Sequence, residues 1–175
     1  MTVVGGRADV REPEELARLV QGAQRGDALA MDELLGILAP YVGRICGPVA
    51  LQDGADAAQE ALLSVFRNIR QLKTSQALFG WVRSIAVREA VRIAKQRQRV
   101  VVAELVDVPS DADLELATDI EDVLRRLSPE HRVVLTLRHI DGLDEQEVSR
   151  VLALPVGTVR SRLFRARNSF RNAWR

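Results

Sequence analysis

Apolar residues along this chain recur every three or four positions rather than every second one, which predicts helices and no sheet. Residues 1–12 lack the pattern and contain Gly5-Gly6, so they read as a tail. Pro13 suits a first helical position, and Leu16, Leu19, Val20 and Ala23 follow at helical spacing until Gly26-Asp27 interrupts. The next stripe is Met31, Leu34, Leu35, Leu38, Val42 and Ile45. Pro40 should kink or locally break that helix, and Gly47-Pro48 should close it. A third helix, over residues 53–72, is expected to bury Ala58, Leu62, Val65, Phe66 and Ile69. A fourth, over 77–98, is expected to bury Leu78, Trp81, Val82, Ile85, Ala86 and Ala90.

Beyond residue 100 the character changes. Glu104, Asp107, Asp111, Asp113, Glu115, Asp119, Glu121 and Asp122 occur with no Lys or Arg among them, and Pro109-Ser110 marks a break. Such a segment reads as an extended, self-repelling connector. Helical spacing returns over Leu114–Leu127, and Ser128-Pro129 supplies a cap and a first helical residue. Val133, Val134, Leu137 and Ile140 form the following stripe, which Gly142 ends. The expected architecture is all-α, with two small helical domains, 13–99 and 113–175, joined by an acidic linker at 100–112.

The last stretch, 144–167, reads as two helices at a sharp turn. Asp144 and Glu147 can form an Asp version of the capping box, and Val148, Val151 and Leu152 give a short stripe. Pro155 breaks the run. Ala153 stands at the turn position where Gly is frequent, which argues for a backbone there that avoids positive φ. In the second helix, Val159, Leu163, Ala166 and Phe170 share one face, while Ser161, Arg165 and Asn168 point the other way, flanked by Thr158, Arg160 and Phe164. From Val156 onward there is no acidic side chain. A one-sided cationic helix behind a short helix and a turn suits a DNA major groove. Arg can bond a guanine edge, Ser and Thr bases or phosphates, and Phe a thymine methyl. A merely solvated basic face is the competing reading, although mixed Lys and Glu would serve solubility better.

Composition adds little by itself. The chain has 175 residues, 47% apolar and 28% charged, and its net charge of +1 hides segregated blocks of either sign. Cys46 is the one cysteine, so no internal disulfide is possible, which fits a reducing compartment. No apolar N-terminal stretch has signal-peptide length and no segment looks able to span a membrane, so a cytoplasmic protein without membrane insertion is expected. His131 and His139 lack partners at metal-ligand spacing. There is no P-loop, no G-x-S-x-G and no glycine-rich cofactor motif, so neither an enzyme nor a cofactor or metal site is expected.

The run 155–167, PVGTVRSRLFRAR, resembles the −35 recognition helix of the extracytoplasmic-function (ECF, group 4) sigma factors of the sigma-70 family. Asp53-Gly54-Ala55-Asp56-Ala57-Ala58-Gln59-Glu60 is similar to the family's D-x-E-D-x-x-Q-E motif in region 2.2, with Ala55 in place of an acidic residue. On charge alone these carboxylates could merely favour a helix dipole. The resemblance implies that Asp53, Asp56, Gln59 and Glu60 dock on the β′ clamp helices of core RNA polymerase. Phe79-Gly80-Trp81-Val82-Arg83-Ser84-Ile85-Ala86 resembles regions 2.3–2.4, which implies −10 contacts from Arg83, Arg88 and Arg92 and from the preceding connector Lys73, Thr74, Ser75 and Gln76. Arg88 and Arg92 stand where the family often has Asn and Asp. Trp81 could be a stacking platform, but fits better as a core anchor.

For the −35 element the resemblance implies Thr158, Arg160, Ser161, Phe164 and Arg165, with Arg162 and Arg167 on phosphates, and a GGAAC-like sequence. It also implies core polymerase (β′ and β subunits), promoter DNA and an anti-sigma factor as partners, and a linker that runs through the RNA exit channel. The alternative is a free-standing helix-turn-helix regulator that needs no polymerase. A purely protein-binding helical adaptor would show no salt-sensitive DNA affinity.

Overall fold

The computed structural model describes residues 13–103 and 119–175. The tail 1–12 and most of the expected acidic linker lie outside the described residues, as does the start of the helix expected at Leu114. Among the described residues there are eight α-helices and no strand, as the helical spacing predicted. They are α1 (Pro13–Arg25), α2 (Ala28–Ala50), α3 (Gly54–Asn68), α4 (Leu78–Ala103), α5 (Asp119–Arg125), α6 (Pro129–Leu135), α7 (Glu145–Leu152) and α8 (Val156–Trp174). Short 3₁₀ turns occupy Leu51–Asp53, Ile69–Gln71 and Ser75–Ala77.

Helix α2 is the axis of the anterior lobe, packing against α1, α3 and α4. Leu34, Leu38, Val42 and Ile45 are fully enclosed, and Leu78, Val82, Ala86 and Ala90 of α4 meet them. Asp27 caps α2 by accepting from the Leu29 and Ala30 N–H groups, at 3.0 and 3.2 Å, after Gly26 turns the chain at φ 91°. Contrary to the sequence expectation, neither Pro40 nor Gly47-Pro48 ends α2, which runs on to Ala50. Packing on three sides outweighs the hydrogen bonds that the prolines remove. The stretch from Ala28 is also long and apolar enough to pass for a membrane span, which amends the expectation that no segment is. Its apolar face is enclosed by the other helices.

The buried face of α3 is rotated from the expected one. Ala57, Ala61 and Val65 are fully buried, Ala58 and Leu62 half-buried, and Phe66 is 52% exposed. The cause is close approach: a Cβ on Gly54 would lie 2.8 Å from the Cα of Gly47 on α2. Where backbones come that near, only alanine-sized side chains fit the seam.

In the posterior lobe, α6 and α8 pack on each other, with α5 and α7 flanking α8. Ser128 caps α6 and Pro129 is its first residue, as predicted. The chain then widens into one π turn, Thr136–Ile140, before Gly142 at φ 76°. That extra residue per turn carries Ile140 off the stripe, leaving it 52% exposed where burial was expected.

Cys46 is buried, with its thiol 3.7 Å from the Ala86 carbonyl. Burial, with a smaller contribution from Glu89, pushes its pKa up to about 12 from 9.0. The unfolded thiol therefore ionises first as pH rises. Stability should be at its full value below pH 9 and fall between about 9 and 12. Denaturant titrations at stepped pH should show a shallower decline for Cys46→Ala; an unchanged slope would contradict this.

Candidate nucleic-acid interface

The helix-turn-helix forms as its sequence dictates. Asp144 accepts from the Glu147 N–H and Glu147 accepts from the Asp144 N–H, each at 2.8 Å, completing the capping box. Val148 is fully buried. The turn itself corrects one expectation: Ala153 does adopt the left-handed conformation, at φ 52°. Two bonds hold it there, from the Ala153 N–H to Arg150 O and from the Leu154 N–H to Ser149 O, against a penalty of roughly 1–2 kcal/mol.

Helix α8 buries Val159, Leu163 and Ala166 and half-buries Phe170, whose ring stacks on Trp174 at 6.0 Å. Its opposite face presents Arg160, Ser161, Phe164, Arg165 and Arg167 to solvent, with Thr158 and Arg162 half-buried at the edges. Phe164 is 64% exposed, an apolar ring standing among cations. The Ser161 hydroxyl donates to Thr158 O at 3.0 Å, and Arg165 Nε donates to Ser161 O at 3.3 Å. Arg160 Nε is held 2.6 Å from Glu145 on α7, a partner the sequence reading did not supply. Burial and the nearby guanidinium of Arg165 hold the His131 pKa below its usual value, and burial and Arg167 do the same at His139. No cluster that could hold a metal occurs among the described residues.

The sequence-predicted acidic group divides. Asp56, Gln59 and Glu60 share the exposed side of α3, opposite Ala57, Ala61 and Val65. Asp53 is half-buried and lines a cleft with Gln52, Arg97, Arg125 and Arg132. The predicted −10 group divides as well. Lys73, Thr74 and Gln76 are exposed and Ser75 half-buried on the connector, and Arg88 and Arg92 are exposed on α4. Arg92 is paired with Glu89 at 2.8 Å. Arg83 lies apart from them, half-buried, with its guanidinium on the Asp141 carboxylate. Trp81 is half-buried against the core, as expected of an anchor.

Residues missed in the sequence hold this surface in place. Gln24 donates from Nε2 to Ile69 O at 3.0 Å and Leu72 O at 2.8 Å, and Arg70 returns a bond to Gln24 O at 3.2 Å. Helix α1 thus clasps the connector that carries Lys73 to Gln76. A polar residue directly after the apolar stripe of α1 was the available signal. Arg132 is 6% exposed and donates to Val49 O at 2.8 Å and Leu127 O at 2.7 Å.

Residues 117–169 match the family model Sigma-70, region 4. The chain is 32% identical to the RNA polymerase sigma-H factor of Pseudomonas aeruginosa, covering 91% of this chain and 94% of that one. It is 29% identical to the ECF RNA polymerase sigma-E factor of Haemophilus influenzae, over 88% and 92% of the two chains. The fold is similar to CnrH, solved in complex with the cytosolic domain of CnrY, with a TM-score of 0.62 at 18% identity over 90% of this chain and 96% of that one. It is also similar to the sigma factor RpoE of Bartonella quintana, solved with the anti-sigma factor NepR, with a TM-score of 0.61 at 18% identity over 81% and 94%. Relatedness that runs the length of both chains, ending in a helix-turn-helix of this geometry, shows that the protein belongs to the ECF RNA polymerase sigma factors of the sigma-70 family.

Proposed function

We propose that this chain, as a group 4 sigma factor, binds core RNA polymerase in the cytoplasm and directs it to promoters whose −35 element is GGAAC-like. The observation that carries the reading is the pairing of two separate exposed surfaces, an acidic face on α3 and a cationic, Phe-bearing face on α8. Residues 13–99 form the lobe for the −10 element, 100–112 a linker, and 113–175 the lobe for −35. Asp56, Gln59 and Glu60 dock on polymerase, with Asp53 at the margin. Lys73, Thr74, Ser75, Gln76, Arg83, Arg88 and Arg92 engage and help melt the −10 region. Arg160, Ser161, Phe164 and Arg165 read bases with Thr158 alongside, and Arg162 and Arg167 hold phosphates. An anti-sigma factor is the natural inhibitor, as NepR is the partner of the solved RpoE. The chain itself catalyses nothing and needs no cofactor.

In vitro transcription with core polymerase on a GGAAC-containing promoter tests the reading, and no RNA from any matching promoter would overturn it. Arg165→Ala should cost roughly 1–3 kcal/mol on the matched −35 sequence and far less on a scrambled one. Equal losses on both sequences would remove Arg165 from the base-reading set.

A further inference from the structure

The connector between α3 and α4 is tied down through its main chain. Ile69–Gln71 and Ser75–Ala77 form 3₁₀ turns, and Thr74 between them is extended at φ −140° and ψ 144°. A turn this short leaves carbonyls at its end without partners inside the turn. The Gln24 amide supplies partners, donating from Nε2 to Ile69 O at 3.0 Å and to Leu72 O at 2.8 Å. Ile69 O also accepts from the Leu72 N–H at 3.1 Å, so both its lone pairs are used. Arg70 closes the circuit by donating from Nε to Gln24 O at 3.2 Å. Both bonds from Gln24 engage main-chain acceptors, and Lys73, Thr74 and Gln76 keep their side chains exposed.

The anchor itself is fixed. Val20 and Ala23 of α1 are buried, and Gly22 lies so near α2 that an added Cβ would be 2.7 Å from Ala30 Cβ. Bonds from the Gly26 N–H to Ala23 O at 3.1 Å and from the Asp27 N–H to Gly22 O at 3.0 Å lock the corner between the two helices. Gln24 projects from that corner, and α1 packs against both 3₁₀ turns. Buried Leu72 and Leu78 pin the ends of the connector. A loose surface segment must be ordered whenever it meets a ligand, and holding it beforehand removes that cost. We propose that Gln24, assisted by Arg70, is a positioning residue for −10 discrimination, holding the connector so that Lys73, Thr74 and Gln76 meet the separated strand in one preset arrangement. The inference rests on the −10 role proposed above for those residues. A fixed set of polar groups rejects a wrong base because it cannot shift to suit it, whereas a loosened set accepts more sequences. Releasing the clasp should therefore relax discrimination as well as slow opening.

Gln24→Met keeps the length of the side chain and removes both donors. In the free full-length chain, amide hydrogen exchange should quicken about tenfold at Leu72 and Ala77, whose N–H groups bond Ile69 O and Thr74 O at 3.1 Å, with α2 unchanged. Holoenzyme assembled from each chain is then given a GGAAC-containing promoter with 2-aminopurine in the region that melts, its −10 element intact or carrying single-base changes. Wild type should open the preferred −10 sequence faster than the altered ones, and Gln24→Met should shrink that ratio about fivefold. Discrimination among −35 sequences and capture of core polymerase should stay at the wild-type level, which a general loss of stability would not allow. Arg70→Met, at an exposed position, should move exchange and −10 discrimination in the same direction by about twofold. Unchanged exchange in Gln24→Met overturns the inference, because the amide then holds nothing. Quickened exchange with −10 discrimination fully retained overturns it as well, and leaves the −10 role of the connector standing. A wild-type holoenzyme that is itself indifferent to −10 changes means that the −10 role has failed, and the inference falls with it.

Discussion

Asp56→Arg combined with Glu60→Arg is expected to reduce capture of core polymerase by at least about 100-fold, because close charge pairs across interfaces couple by roughly 1.5–7 kcal/mol. Both side chains are exposed, on the side of α3 opposite Ala57, Ala61 and Val65. The folded chain has no use for them in its core, so thermal unfolding should move little. Reversal at Asp56 also places a cation in the first turn of α3, a loss of well under about 1 kcal/mol at an exposed position. Size-exclusion or biolayer measurements against core enzyme provide the check. Capture at the wild-type level would remove α3 from the proposed docking surface, whatever the fate of the reading of α8.

Gly54→Val should be the most damaging single change in the anterior lobe. The added Cβ would sit 2.8 Å from Gly47 Cα, 3.4 Å from Gly47 N and 3.5 Å from Cys46 O. All three are backbone atoms, so no flexible side chain can move aside, and α2 and α3 must part. Overpacking of this kind costs about 3 kcal/mol or more. For a chain of this length, that corresponds to a fall in Tm of roughly 6–12 °C. Polymerase capture should drop along with stability, because the same seam aims the acidic face. That correlated loss distinguishes Gly54→Val from the charge reversals, which should separate the two effects. A variant as stable as wild type would mean that the helices do not approach this closely.

Much of this was legible because it is local. Capping at Asp144 and Ser128, the stop at Gly142 and the buried face of α8 follow from residues within one or two turns of each other. The side chains proposed to read the −35 element share a face for the same reason. What the pattern could not supply depended on distant segments. The buried face of α3 turned because Gly47 lies across from Gly54, and Phe66 was displaced outward. Pro40 and Pro48 were tolerated because three helices surround α2. Ile140 left its stripe through one extra residue in a turn, which apolar spacing alone cannot reveal. Arg83 was identified by its place in a motif, yet its partner stands 58 positions away.

If Arg160 reads bases as proposed, its pairing with Glu145 bears on how a search along a chromosome would proceed. Arg160 arrives at any duplex with a counter-ion already in hand. A random phosphate must therefore displace a carboxylate before it gains anything, and the exchange nets close to nothing. A correctly placed guanine offers two acceptors in the plane of the guanidinium, which a single carboxylate oxygen does not match. On that reading Glu145 would cost wrong sites more than the right one and so shorten wasted residence.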